Sequence, residues 1–248
     1  MRDGQGSAAA IGRSLRTYYD DPARMQRMDA LHAQFVPKDG LAFDVGAHVG
    51  DRTASFLRLG ASVVALEPQP RVFRALRLIH GRKAGVRLVP EAVGSTPGQI
   101  AMRINSGNPT VSTLSDAFIE ATVGAPMWAG QVWDRSIAVP VTTLDRLIAQ
   151  HGNPDFIKID VEGHELDVLM GLSRPVSALS FEFTTIQRAV ACACLKRLGA
   201  LGAYAFNLSM GEEHRLRHTR WVDAAQMQAE LLNVPDAANS GDVHARLL

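Results

Sequence analysis

Two glycines in a short loop after an apolar segment could hold a small ligand. The apolar segment is Leu41–Val45, and Gly46 and Gly50 follow it before a helical pattern begins at Thr53. Gly46 would permit a tight turn, Gly50 would let a ligand approach the backbone closely, and the helix would offer free N–H groups to a negative group. Ordinary strand-to-helix turns also contain such glycine pairs, so the loop indicates a binding site only in combination with the residues that follow the neighbouring strands.

An acidic residue follows the next apolar segment. Ser62–Leu66 has the length of a buried parallel strand, and Glu67 comes directly after it. Glu67 also lies roughly 20 residues beyond Asp44, the separation at which an acid reaches the ribose hydroxyls of a bound nucleoside. Dinucleotide-binding loops carry a further glycine that is missing here, and the Asp44 carboxylate would repel a pyrophosphate. The pattern therefore favours a nucleoside with a cationic end, such as S-adenosylmethionine with its ammonium and sulfonium.

A third group of polar residues lies at the end of the apolar segment 156–159 and directly after it. Its members are Lys158, Asp160, Glu162, His164 and Glu165. Asp160 could cap the following helix and Glu165 could lie in its first turn, but capping does not account for the whole group. Histidine has the ordinary pKa nearest to neutrality, so His164 is the first candidate for a general base, with Asp160 and Glu162 as alternatives. The competing interpretation places His164 on an exposed helical turn.

Four carboxylates in this region could supply hard oxygen ligands for magnesium or calcium. They are Asp160, Glu162, Glu165 and Glu182, the last of which stands between two phenylalanines at a further strand end. Lys158 lies on the same strand face as Asp160 and can pair with it, or with Glu182, without an ion. Glu165 can interact with the helix dipole instead of a ligand. We therefore expect no metal ligands and no requirement for a divalent cation.

Together these segments resemble the FkbM family of S-adenosylmethionine-dependent methyltransferases. The resemblance extends over residues 41–183, and the run from Lys158 to Glu165 is its most specific part. The family usually has Asn at the position of His48 and a small polar residue at the position of Glu91. The matching segments are Phe43–Thr53, Leu66–Pro68, Ala92–Gly94, Thr143–Leu147 and Phe156–Glu165.

The resemblance implies a place for each part of the cofactor. Asp44 and Gly46 would lie against its amino-acid end, and Glu67 would hold the ribose. The backbone of Ala92 and Val93 would border the adenine, with Asp160 near the transferred methyl group. The residues predicted to bind the cofactor are Asp44, Gly46, His48, Gly50, Glu67, Pro68, Ala92, Val93 and Asp160.

The resemblance also implies a reaction, namely O-methylation of a hydroxyl on a sugar or natural product. Enzymes that methylate the amines of nucleic-acid bases tend to carry an Asp/Asn-Pro-Pro-aromatic run after the corresponding strand, whereas this chain has Asp160–Gly163. Two alternatives remain: a nicotinamide-dependent oxidoreductase and a non-catalytic S-adenosylmethionine-binding module. The incomplete glycine loop and the lack of a Tyr-x-x-x-Lys relay count against the first, and the complete polar group after Ile159 counts against the second.

The elements that must position these residues alternate between strands and helices from Leu41 onward. This alternation predicts an α/β fold with a doubly wound, mostly parallel sheet, and the resemblance implies the Rossmann-like fold of class I methyltransferases. Residues 1–40 are predicted to form a tail, frayed over 1–10, and a helical lead-in, and 41–248 to form the methyltransferase domain. Within it, 105–138 is predicted to be an insertion whose aromatic residues form a lid, a core piece or a dimer contact. The run Glu212–Arg220 alternates as in an exposed edge strand.

Composition and charge limit the kinds of binding partner that the chain is expected to have. The chain of 248 residues is 46% hydrophobic and 21% charged, as in globular proteins, and its formal net charge of +1 gives little attraction to nucleic acid or anionic membrane. No apolar run approaches the ~20 residues of a membrane span. Cys192 and Cys194 have no partners at zinc spacing and are expected to be buried thiols. We expect a cytoplasmic protein with a small-molecule hydroxyl acceptor, without nucleic-acid or membrane partners, and with a homodimer as a possible assembly.

Overall fold

Ten strands form two sheets in the part of the chain that the structure describes. The structure is a computed structural model of residues 3–248, with side chains described from residue 8 onward. The strands are β1 (Leu41–Val45), β2 (Ser62–Leu66), β3 (Val86–Val89), β4 (Ala92–Val93), β5 (Gly98–Ile104), β6 (Arg135–Thr142), β7 (Phe156–Ile159), β8 (Ala178–Thr184), β9 (Tyr204–Met210) and β10 (Ser240–Leu247). The main sheet has the order β3-β2-β1-β7-β8-β10-β9, and β4-β6-β5 form a smaller sheet.

Helices cover both faces of the main sheet. They are α1 (Asp3–Tyr19), α2 (Pro22–His32), α3 (Asp51–Arg58), α4 (Pro70–His80), α5 (Asp116–Thr122), α6 (Leu144–His151), α7 (Glu165–Met170), α8 (Arg188–Leu201) and α9 (Ala224–Asn233). Alternate residues of β1 enter two separate hydrophobic cores: Ala42 packs with Phe56 of α3, whereas Phe43 packs with Leu147 of α6. Side chains of a strand point alternately to its two faces, so the two cores lie on opposite sides of the sheet. The predicted doubly wound α/β fold is confirmed.

All neighbours in the main sheet are parallel except those that involve β10. This strand lies between β8 and β9 and is antiparallel to both. The sequence pattern indicates neither β10 nor α9. The alternating charges over 212–220 predict an edge strand, which is wrong, because this segment forms turns that return to β9 through the Arg217 N–H and the Leu208 carbonyl, 2.7 Å apart.

The predicted insertion at 105–138 has its own small core. Phe118 and Trp128 are buried edge to face with ring centroids 5.0 Å apart, while the neighbouring Met127 is 62% exposed. Trp133 donates its indole N–H to the Val111 carbonyl at 2.9 Å. Of Met127, Trp128 and Trp133, which could form a lid or a core piece, the two tryptophans therefore hold the insertion together from within.

The N-terminal helix begins earlier than predicted. α1 starts at Asp3, within the segment predicted to fray, and Ala10 is fully packed. The alanine run at 8–10 has the highest helix propensity of any residue type, which outweighs the glycines before it. Met1 and Arg2 lie outside the described residues. None of the helices within 3–248 combines the length and apolar character that a membrane crossing needs.

Candidate active site

A cavity opens at the carboxyl ends of β1, β2 and β7, where doubly wound sheets bind their ligands. It encloses about 960 Å³, its open mouth included. Eight of the nine residues predicted to bind the cofactor line it, and they come from the ends of β1, β2 and β7 and from the short strand β4. These eight are Asp44, Gly46, His48, Glu67, Pro68, Ala92, Val93 and Asp160.

Gly46 and Gly50 both have a left-handed backbone, but they serve different neighbours. Gly46 has φ of 84°, and a Cβ atom there would lie 1.8 Å from the Asp160 carbonyl oxygen, so only glycine lets the two loops touch. Gly50 has φ of 83°, and its Cβ would meet Leu76 and His80 of α4. Gly50 therefore packs α3 against α4 and does not face the cavity, contrary to its predicted role.

Two buried carboxylates mark one end of the cavity. Asp44 accepts a hydrogen bond from the Thr53 hydroxyl at 2.6 Å, and burial raises the pKa of Asp44 to about 6. Glu67 accepts the backbone N–H groups of Gln69 at 2.8 Å and His48 at 3.1 Å. Burial raises the pKa of Glu67 to about 7 despite these donors. Both groups are therefore poised to gain from a cationic or hydroxyl-bearing ligand that favours the ionised form.

His48 positions Glu67 through its backbone. Its φ of 47° lies in the left-handed region, which His and Asn adopt more readily than most residues. The His48 Nε2 atom lies 2.9 Å from the Ser14 hydroxyl of α1, and burial lowers the pKa of the ring to about 4. The neutral ring thus ties the glycine loop to the N-terminal helix, and its Nδ1 atom has no hydrogen-bond partner among the described side chains.

Lys158 forms the ion pair that the sequence predicts. Its ammonium lies 3.2 Å from Asp160 and 2.7 Å from Asp242 of β10, and its side chain is buried. Burial alone would lower the pKa of Lys158, but Asp160 and Asp242 outweigh that cost and raise it. The pairing with Asp160 is confirmed, and Asp242 is a second partner that the sequence did not reveal.

Three carboxylates meet beside this ion pair. Asp160, Glu162 and Glu182 each have an oxygen within 4.8 Å of the others. Burial, followed by the charge of Asp160, raises the pKa of both Glu162 and Glu182 well above the ordinary range. Glu165 is used differently, since it accepts the backbone N–H groups of Val161 at 3.1 Å and Gly163 at 3.2 Å and so closes the loop before α7.

His164 stands apart from the cavity, although its neighbours in sequence line it. Its Nδ1 atom lies 3.6 Å from the Asp167 carboxylate, and its other nitrogen faces Gly94. Burial lowers the pKa of the ring. Glu162 and Gly163 both have positive φ, which turns the chain sharply and directs the next side chain away from the cavity. The geometry thus brings Asp160 and Glu162 together but leaves out the third predicted catalytic residue.

Several lining residues have no local signal in the sequence. Tyr18 comes from α1, Glu212 from the loop after β9, and Thr110, Ser112 and Leu114 from the insertion. Glu212 contacts Arg24 of α2 and lies 3.0 Å from Arg52 of α3. These contacts join segments nearly 200 positions apart, so no spacing rule could have identified them.

A family model describes most of this region. Residues 44–191 match the methyltransferase FkbM domain, which covers more than half of the chain. The chain belongs to the FkbM methyltransferase family. S-adenosylmethionine is the methyl donor of this family, which confirms the cofactor predicted from the sequence.

Individual relatives are more distant. The chain is 28% identical over 157 residues to the hexuronic acid methyltransferase AglP of Haloferax volcanii, an alignment that covers 62% of this chain and 58% of that protein. An O-methyltransferase from Bacillus cereus, solved with S-adenosylhomocysteine, aligns over 99% of this chain and 90% of its own at 12% identity and a TM-score of 0.48. A TehB-like methyltransferase from Corynebacterium glutamicum aligns over 97% and 96% at 11% identity and a TM-score of 0.47.

The side chains around the cavity fit the cofactor. Asp44 offers a buried carboxylate for the ammonium, and Glu67 offers one for the two ribose hydroxyls. Leu66, Val93 and Met102 provide an apolar wall suited to adenine. The two carboxylates lie at the ends of adjacent parallel strands, β1 and β2, so that one extended ligand can span both.

Proposed function

We propose that this protein is an S-adenosylmethionine-dependent O-methyltransferase that acts on a hydroxyl of a small molecule, such as a sugar acid or natural product. The observation that carries the proposal is the continuity of the cavity. It runs from Asp44 and Glu67 to Asp160, Glu162 and Glu182, so carboxylates lie where an acceptor would approach the methyl group. Carboxylate oxygens accept hydrogen bonds from hydroxyl groups and can take up their protons.

The cofactor, when bound, supplies an electrophilic methyl group on a sulfonium. The chain's own residues then have three tasks. Asp44 would bind the ammonium and Glu67 the ribose hydroxyls of the cofactor, and the insertion, through Thr110 and Ser112, closes the cavity from the side. A carboxylate at the acceptor end would accept the proton that the acceptor hydroxyl loses on methylation. Fixing both reactants in line supplies most of the rate gain, because the displacement needs no further covalent help from the protein.

Asp160 or Glu162 is the base that the geometry favours over His164. Asp160 contacts Lys158, which holds its carboxylate at the cavity wall. Glu162 is buried, and its raised pKa makes it a stronger proton acceptor once it is ionised. The imidazole of His164 would have to leave Asp167 and cross the loop to reach the cavity.

The relative from Haloferax volcanii suggests where a search for the acceptor begins. Its name assigns it a hexuronic acid, which carries hydroxyls and a carboxylate on one ring. This chain spans 58% of the length of that relative. Hexuronic acids are therefore tested as one class of acceptor, and the substrate of the relative is not assigned to this chain. A homodimer and a cytoplasmic location remain predictions from the sequence.

The experiment supplies the protein with S-adenosylmethionine and a panel of hexuronic acids, their glycosides and neutral sugars. We expect S-adenosylhomocysteine to form only with an acceptor, and the methylated product to resist mild alkali because a methyl ether, unlike a methyl ester, is stable there. Glu162→Gln should lower the rate strongly, whereas the exposed carboxylate variant Glu120→Gln should not. Tight cofactor binding without turnover on any member would favour the non-catalytic alternative, and an alkali-labile product would refute transfer to a hydroxyl.

A further inference from the structure

The meeting of three carboxylates at the acceptor end of the cavity exceeds what proton transfer requires. We propose that Asp160, Glu162 and Glu182 bind one divalent cation of the magnesium or calcium type. The sequence predicts no such site, because Lys158 and the dipole of α7 could account for these charges. In the structure Lys158 does pair with Asp160 and Glu165 closes the loop before α7, but Asp160, Glu162 and Glu182 still lie together.

The spacing of the oxygens suits a hard cation. One oxygen of each carboxylate lies within 4.8 Å of the other two. Magnesium and calcium bind oxygen at about 2.1–2.5 Å, so two ligands of one ion are at most roughly 4–5 Å apart. Asp160 and Glu162 lie in the loop directly after β7, and Glu182 lies in the neighbouring parallel strand β8.

The charges around the cluster do not balance. Lys158 contacts Asp160, but it lies closer to Asp242, so one ammonium serves two carboxylates. Asp242 also stands directly opposite Glu182 in the antiparallel pair of β8 and β10, where like charges repel. Among the described residues the next cation lining the cavity, Arg52, is already paired with Asp51 and Glu212. Four carboxylates therefore share a single ammonium.

Glu162 provides an observation independent of the clustering. Its side chain is only 7% exposed, and its Oε2 atom has no hydrogen-bond partner within residues 3–248. The Thr113 hydroxyl fixes the Glu162 carbonyl at 2.6 Å, so the residue is held in place by its backbone while its carboxylate points toward Asp160 and Glu182. A buried acceptor without a donor is costly, and a coordinated cation removes that cost.

Cation binding does not depend on which acceptor is methylated, whereas any role of the ion in holding an acceptor hydroxyl rests on the proposed function. The binding test therefore omits both acceptor and S-adenosylmethionine. Metal-free protein is prepared with a chelator and titrated with Mn²⁺, and free Mn²⁺ is followed by electron paramagnetic resonance. Magnesium and calcium are then tested as competitors.

We expect one Mn²⁺ per chain, displaced by magnesium or calcium, and at least tenfold weaker binding in Glu162→Gln and in Glu182→Gln. Glu120→Gln changes an exposed carboxylate of α5 and should bind as the wild type does. Circular dichroism and the affinity for S-adenosylhomocysteine show whether each variant is folded. Since two separate variants are tested, one that fails to fold leaves the other to decide. Absence of stoichiometric binding to the wild type, or equal binding in a folded Gln variant, would overturn the proposal.

Discussion

Replacing Glu67 by Gln should weaken the binding of S-adenosylhomocysteine, which shares the ribose but lacks the reactive methyl group. Glu67 is 3% exposed, and Gln has the same size, but its amide keeps only one of the two hydrogen bonds that Glu67 accepts from the N–H groups of His48 and Gln69. Hydrogen bonds to a charged group contribute about 1.5–3 kcal/mol, and the loss should therefore be roughly 10- to 150-fold in the dissociation constant.

The affinity for S-adenosylhomocysteine should also depend on pH if Glu67 binds the ribose. The pKa of Glu67 is about 7 in the free protein because the carboxyl is buried, and the ionised form is the one that accepts both ribose hydroxyls. A raised pKa means that a proton must be lost on binding, so affinity rises with pH. The ionised fraction grows about tenfold between pH 6 and pH 8, and the dissociation constant should fall by about the same factor. Asp44, with a pKa of about 6, adds only about twofold over this range.

Isothermal titration calorimetry in buffers of different ionisation enthalpy measures both the affinity and the protons released. The wild type and the control Glu120→Gln should release about 1.4 protons per ligand at pH 6, about 0.9 from Glu67 and about 0.5 from Asp44, and only about 0.1 at pH 8. Glu67→Gln should retain only the small dependence that Asp44 supplies. Unchanged affinity together with an unchanged pH slope in Glu67→Gln would refute the assignment of Glu67 to the ribose.

Three further substitutions follow from the packing of the site. Lys158→Met should lower the free energy of unfolding by about 3–5 kcal/mol, because it leaves buried carboxylates unpaired, while Met at the exposed Lys196 should have little effect in urea denaturation. Gly46→Ala should destabilise the protein by several kcal/mol more than Gly124→Ala, because both residues have positive φ but only at Gly46 would the new Cβ overlap backbone. An equal decrease in melting temperature for the two variants would contradict this reasoning. His164→Ala should lower kcat less than about threefold, and a loss of about 100-fold with disappearance of the acidic limb would restore the imidazole as the base.

The two carboxylates proposed to bind the cofactor could be placed from the sequence, because Asp44 lies at the end of one apolar run and Glu67 directly follows another. Asp44 and Glu67 end apolar runs whose length indicates buried parallel strands, and parallel strands bring their carboxyl ends to one edge. The same argument placed Asp160 and its pairing with Lys158. For these residues the parallel pairing of β1, β2 and β7 was sufficient, and the alternation of strands and helices predicts it, whereas the roles of Ala92 and Val93 come from the resemblance to the FkbM family.

The part of the cavity proposed to bind the acceptor depends on backbone conformation and long-range contacts, which the local sequence pattern does not indicate. The direction of His164 is set by positive φ at Glu162, a conformation that few residues other than glycine adopt. Asp242 reaches Lys158 because β10 inserts between β8 and β9, a pairing between segments some 80 positions apart. The regular spacing of charges over 212–220 resembles a strand, yet Glu212 is held by Arg24 and Arg52 from another part of the chain, and tertiary contacts override the pattern.

The cavity has two parts of different origin along the chain. The residues proposed to hold the methyl donor lie within the family-matched span of 44–191, whereas Tyr18 of α1 and Glu212 of the loop after β9 lie on either side of it and still line the same cavity. The loop after β9 can therefore change without altering the strand ends of the parallel sheet, whereas α1 is linked to the glycine loop through Ser14 and His48. Chimeras that exchange only residues 211–220 between FkbM relatives should accordingly alter which acceptors are methylated while the affinity for S-adenosylhomocysteine stays the same.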